Sequence, residues 1–249
     1  MLFRSGFPML TFAHRNTKEI LRDPINLAFG LGFPLALILL LTAIQSSVPV
    51  PLFELPRLTP GITVFGLSFI TLFSATIIAK DRSSSLLQRL YTTPLKPVDF
   101  ILGYTLPLIP IAIAQCVICY VAAMILGMPA SVNMVCAALS IVPVSVLYIA
   151  LGLLCGSVLN DKQVGGICGA LLTNLSAWLS GIWFDLDLVG GAFKKIAYAL
   201  PFVHAVDMQR AVIAGDFAGI FPHLWWVLGY TAALLAAAVL LFLRQMKRQ

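Results

Sequence analysis

The chain has 249 residues, of which 60% are hydrophobic and only 10% charged, with a formal net charge of +6. A soluble domain carries roughly 45–50% apolar and about 25% charged residues, so the composition excludes disorder, a nucleic-acid-binding tail and an ordinary water-soluble globule. What remains is an all-α polytopic membrane protein, in which basic residues report topology before they report a partner.

In chain order, residues 9–23 come first. Leu10, Ala13, Thr17, Ile20 and Leu21 form a stripe at helical spacing, with His14, Arg15, Lys18, Glu19 and Arg22 opposite. Arg15 and Glu19 are an i,i+4 pair. Asp23-Pro24 ends the segment, because the residue before proline is pushed out of the α region. Such a helix lies in a membrane interface.

Five uncharged stretches follow, at 24–53, 58–79, 100–160, 163–184 and 217–243. A span takes about 20 apolar residues. The third stretch holds two, broken at Gly127-Met128-Pro129-Ala130-Ser131-Val132-Asn133. Six transmembrane helices are predicted, near 26–44, 60–79, 101–127, 134–158, 164–184 and 222–243. Period-2 alternation is absent, which argues against a β-barrel. Prolines 34, 107, 110 and 143 are candidate kinks. The first apolar run starts too late for a cleavable signal and lacks a small-residue cleavage site, so it reads as an anchor.

Between spans two and three, the sequence from Lys80 to Pro94 contains Ser85-x-x-Gln88, a capping-box pattern, and Leu86, Leu87 and Leu90 on one side. Pro94 and Pro97 stop it. A short, basic, apolar-faced helix over 83–91 is expected to dock on another protein. Residues 185–221 are too polar to span and too apolar for a solvated linker. Two short helices are expected there, one from Gly190-Gly191 through Leu200, broken by Pro201, and one from Val203 to Ala214 capped by Gly215. Asp207 and Arg210 can pair at i,i+3. Both helices are expected to dip into the outer leaflet, packed on protein.

Twelve basic residues fall on the side of the two termini and four (Arg57, Lys194, Lys195, Arg210) on the other, which puts both termini in the cytoplasm. Trp183, Trp225 and Trp226 then lie at the outer interface.

The chemistry of the chain is sparse. A phosphate-loop motif, HExxH, GxSxG and a Cys/His cluster are all absent. His14, His204 and His223 are scattered, and Cys116-x-x-Cys119 reads as helix packing. The ten acidic residues lie in loops or at span ends. Ser68, Thr71, Ser74, Gln115, Thr173 and Asn174 are mild polar groups expected to bond between helices. No catalytic residue, metal or cofactor is assigned to the chain, and energy for uphill transport has to come from outside it.

As a set, these features resemble the ABC-2 family of transporter permeases. The residues that carry the likeness are Ile20-Leu21-Arg22-Asp23-Pro24, Thr59-Pro60-Gly61, Asp81-Arg82 through Leu90-Tyr91-Thr92-Thr93-Pro94-Leu95, and Leu200-Pro201 followed by Asp207-Met208-Gln209-Arg210. The family often has a glycine where Ser83 to Ser85 stand here. The resemblance implies a permease subunit of an ATP-binding cassette exporter in the cytoplasmic membrane. It implies a dimer with itself or a paralogue, and two separate ATPase subunits that bind ATP and Mg. Residues 9–23 then look like the interfacial helix and 83–91 like the coupling helix, with Arg82, Ser85, Leu86, Gln88, Arg89, Leu90 and Tyr91 meeting the ATPase. The helices of 185–221 look like a re-entrant outer pair, with Asp207 and Arg210 as a gate pair. Spans one, two and five look like the path lining, with Phe69, Thr71, Phe73, Thr173, Asn174 and Trp178 along it. The apolar, aromatic lining implies an amphipathic or lipid-like substrate: a drug, lipid or glycan. The alternative is an ATP-independent secondary transporter or channel.

Overall fold

Helices account for every regular element in the computed structural model, which describes residues 8–49, 51, 53–84, 86 and 96–247. In lipid a helix satisfies its own backbone, and the long apolar stretches leave no other solution. In chain order they are α1 (Pro8–Leu21), α2 (Pro24–Ser47), α3 (Leu55–Ser83), α4 (Pro97–Ile125) and α5 (Val132–Val158). Next come α6 (161–179), α7 (Leu186–Val189), α8 (Gly191–Ala199), α9 (Pro201–Ala214) and α10 (Phe217–Lys247).

Five of them, α2, α3, α4, α5 and α10, are long and apolar enough to cross a membrane. The expected fifth span, 164–184, is instead a helix over 161–179, shorter and more polar at its start. It stops where Gly181 takes φ +68°, a left-handed conformation that only glycine adopts freely.

Boundaries follow local chemistry. Asp23 ends α1 and starts α2, its carboxylate accepting from the Asn26 amide at 3.1 Å with Pro24 in the first helical position. The break after α4 is where expected, with Gly127 at φ +109°. Ser131 then caps α5 through the Asn133 amide. Gly215 closes α9 at φ +76°. Pro201 marks the expected break, α8 stopping at Ala199, and also opens α9 two residues earlier than the expected Val203, sitting in its first turn where a missing N–H costs nothing. Pro107 separates the two parts of α4, Pro97–Thr105 and Leu108–Ile125.

The centre is α3. Of its apolar stretch 83% is buried, against 22% for α2 and α10. It packs most extensively on α5, and also on α2, α4, α6 and α9, while α10 closes against α5 and α9. Small residues permit the α3–α5 approach. A Cβ on Gly152 would lie 2.5 Å from the Thr71 carbonyl oxygen, and one on Gly156 2.6 Å from that of Ala75.

The polar residues of the spans largely stitch helices together as expected. Ser68 and Ser176 hydroxyls meet at 2.9 Å, Thr71 donates to the Tyr148 carbonyl at 2.7 Å, Ser74 to Ile149 at 3.3 Å, and the Gln115 amide to Thr63 at 3.0 Å. Thr173 and Asn174 bond instead within their own helix, to the Cys168 and Ala170 carbonyls. Cys116 and Cys119 are free and buried in the core.

Candidate functional site

Helix α1 docks on the bundle by a face that shares Ala13 and Ile20 with the expected apolar stripe but is turned away from Leu10 and Leu21. Phe12, Ala13, Asn16 and Ile20 are buried, while Leu10 and Leu21 are 51% and 61% exposed. Specific partners set this rotation. Phe12 meets Phe100 and Tyr104 edge-on, with centroids 5.9 and 4.9 Å apart. Gly103 leaves room for it, since a Cβ there would fall 2.3 Å from the Phe12 ring. The Asn16 amide donates to the Gly103 carbonyl at 2.9 Å. Leu10 and Leu21 instead line an apolar groove of about 540 Å³ with Leu27, Leu31, Leu106 and Pro110.

The same end of the bundle holds a charge network that the sequence places in a loop. Helix α3 runs on through Ser83, so Asp81 is helical and 1% exposed. Its two carboxylate oxygens accept from the Arg15 guanidinium at 2.6 and 2.7 Å, and the Tyr104 hydroxyl donates to it at 2.9 Å. Arg15 also pairs with Glu19 at 2.6 Å, as its spacing predicts. Burial pushes the Glu19 carboxyl up from its ordinary pKa, and Arg15 opposes that shift. Arg82 turns to α5, donating to the carbonyls of Ser157 and Leu159. The last turn of α3 is thus fastened to α1, α4 and α5.

Of the expected contact helix 83–91, Ser83, Ser84 and Leu86 are described. Ser85, Gln88, Arg89, Leu90 and Tyr91, with the capping box, lie outside the described residues, as does the stretch through Leu95.

The expected path residues separate into two groups. Between Ile62 and Lys80, every residue of α3 is buried except Phe69, Leu72, Thr76 and Lys80. Their spacing puts them on one stripe. Phe69 lies on it, between Phe33 of α2 at 5.5 Å and Phe65 at 6.1 Å. Asn174 and Trp178 are exposed on α6. Thr71 points to α5, Phe73 is buried against Gly30, and Thr173 is buried. At the foot of the stripe, Ile20, Asn26, Leu27, Phe73, Thr76 and Lys80 border a cavity of about 270 Å³ with Glu19, Arg22 and Asp23 at its rim.

The opposite end carries the other expected pair. Arg210 and Asp207 approach to 3.6 Å. Arg210 is held more closely by backbone, at 3.0 Å from the Gly181 carbonyl and 3.4 Å from that of Arg57. Arg57 pairs with Asp185 at 3.0 Å, and Asp185 caps α7 through the Asp187 amide at 3.0 Å. That amide first, and Arg57 second, hold the Asp185 carboxyl below its ordinary pKa. Lys194 pairs with Asp187. Two histidines expected to be scattered meet here: His204 Nδ1 is 2.9 Å from His223 Nδ1. Nineteen residues separate them, and only the packing of α9 on α10 brings them together.

A profile described as "ABC-2 family transporter protein" matches residues 55–240, from the start of α3 into α10. No curated protein matches the chain.

Proposed function

Because the chain belongs to the ABC-2 family of transporter membrane proteins, we propose that it is the permease subunit of an exporter driven by a separate ATP-hydrolysing subunit. Two such subunits bind ATP and Mg, and two permease copies, or this chain and a paralogue, enclose the path. The observation that carries this reading is the fastening of the last turn of α3. The segment 83–91 leaves directly from that turn. A push delivered there has no slack to lose before it reaches α3, the most buried of the apolar helices. Packed interfaces respond to such a push by shifting between discrete arrangements.

In this reading α6 serves as a sixth span, short in lipid and completed by its partner copy. The twelve basic residues on the side of the termini support an inner-membrane protein with both termini on the cytoplasmic side. The unburied stripe Phe69, Leu72, Thr76 and Lys80, with Asn174 and Trp178, faces the path. Its aromatic and aliphatic length with a cationic foot favours an amphipathic or lipid-like cargo, such as a drug, lipid or glycan. The helices of 185–221 form the outer, re-entrant closure, with Asp207 and Arg210 fixing its position.

The test is coupling. In vesicles holding the permease with its co-purifying phosphate-loop ATPase, Leu86→Asp and Leu90→Asp each abolish permease-stimulated ATP hydrolysis while the protein stays in the membrane. Normal stimulation in both variants removes 83–91 as the contact. Gradient-driven accumulation by the permease alone would support the ATP-independent alternative.

A further inference from the structure

At the end of the bundle away from α1, His204 of α9 and His223 of α10 face each other with Nδ1 atoms 2.9 Å apart. The His204 Nε2 lies 3.0 Å from the Tyr198 carbonyl, which can only accept. That nitrogen therefore carries a hydrogen, and neutral His204 presents a lone pair at Nδ1. The hydrogen between the rings belongs to His223 Nδ1. His204 is 6% exposed. Trp226 stacks on its ring at 4.8 Å and 9°, and Tyr198 meets it edge-on at 5.8 Å.

This geometry holds one hydrogen between the two Nδ1 atoms. A proton added at His223 Nε2 leaves the contact intact. One added proton on the pair, whichever ring carries it, still leaves a single hydrogen between the Nδ1 atoms, but a proton on His204 Nδ1 when His223 is already cationic sets two N–H groups head to head, and the rings must part. We propose that His204 and His223 are a proton-operated latch between α9 and α10, closed by one shared hydrogen and released when His204 is protonated as well as His223.

The charged and titratable surroundings set the direction. On α9, Asp207 stands one turn beyond His204 and favours its protonation. From α10 come His223, which opposes it, and Tyr230, whose hydroxyl donates to the Ala199 carbonyl at 2.5 Å. From α8, Lys194 sits over the Tyr198 ring at 5.7 Å. Arg57 of α3 is held by Asp185, and Tyr148 of α5 packs on Phe202. Burial is the largest influence and lowers the His204 pKa from its ordinary value. The folded state thus binds fewer protons here than the unfolded chain. The latch is fully closed above about pH 6.5 and is lost as pH falls through the lowered value. The inference does not depend on what the protein carries.

The full-length protein in lipid vesicles tests it. An imidazolium stacked on indole quenches its emission, so tryptophan fluorescence falls in a step below about pH 6.5. The step disappears in His204→Gln and in Trp226→Phe. Over the same step, the hydrogen-exchange protection of 201–214, corrected for intrinsic rates, falls by about tenfold, the scale of one hydrogen bond. In His223→Gln the amide oxygen can accept from protonated His204. That variant keeps the fluorescence step but not the loss of protection. A step that survives in His204→Gln, or protection lost equally in His223→Gln, overturns the latch.

Discussion

Arg15 and Asp81, 66 residues apart, form a two-bond fork at 2.6 and 2.7 Å that ties the first helix to the end of the central one. The two partners differ in exposure: Arg15 is partly solvated, whereas Asp81 is buried. Truncating Arg15 leaves a buried carboxylate without its cation, while truncating Asp81 leaves a guanidinium that water and Glu19 can serve. Arg15→Ala is therefore expected to lower stability by about 1–3 kcal/mol and Asp81→Asn by less. The double variant should recover part of the loss. Thermal unfolding of the three purified proteins gives the order, and a larger cost for Asp81→Asn would reverse the argument.

The α3–α5 seam makes a sharper steric prediction. Gly152→Ala and Gly156→Ala drive a methyl group into backbone oxygens that cannot rotate away. Each should cost about 1–3 kcal/mol or prevent assembly of the bundle. Gly165→Ala and Gly166→Ala meet nothing within 4 Å and should fold normally. Detergent-resistant monodispersity after purification separates the two pairs.

At the other end, Arg210 matters more than its acidic neighbour. Losing Asp207 removes a half-buried i,i+3 pair whose charges stand as far apart as 3.6 Å, worth about 0.2–0.5 kcal/mol. Losing Arg210 leaves the buried Gly181 carbonyl without that donor, for about 1–3 kcal/mol. Exchanging the two residues is not expected to restore stability, because the carbonyl needs the cation at 210. Full rescue by the exchange would show that the ion pair, and not the carbonyl contact, is what counts.

Acid should loosen the Arg57–Asp185 contact. The Asp185 carboxyl has a lowered folded pKa, so its contribution is present above the ordinary carboxylate range. It fades as pH falls below about 4. Asp185→Asn keeps an amide oxygen for the α7 cap but removes the titration, and should flatten this part of the stability–pH curve. A curve unchanged by the substitution would assign the acid sensitivity elsewhere.

Most of the helical plan is legible in the sequence because it rests on local signals. Asp23-Pro24, the 127–133 break and Gly215 each act through their own backbone, and the uncharged stretches mark the apolar helices. What the sequence hides is contact between distant residues. Asp81 reads as a loop carboxylate because nothing near it in sequence announces Arg15 and Tyr104. The buried face of α1 is turned by about a fifth of a turn from its apolar stripe, since Asn16, a polar residue, is drawn inward by the Gly103 carbonyl. His204 and His223 meet only through the docking of α9 on α10. For Thr71 and Phe73, residue type alone cannot separate a lining position from a packing one.

Two helices contain wider winding, at Ala28–Gly32 in α2 and Gly165–Leu172 in α6. A π turn closes its hydrogen bond one residue later than an α turn, so each segment accommodates an additional residue without unpairing the backbone. Relatives that lack a residue at either place would wind as plain α-helix there and keep the flanking faces in register. Single-residue gaps in a comparison of many homologous chains should therefore gather at these two windows, as inherited length variation that the bundle absorbs without rebuilding its contacts.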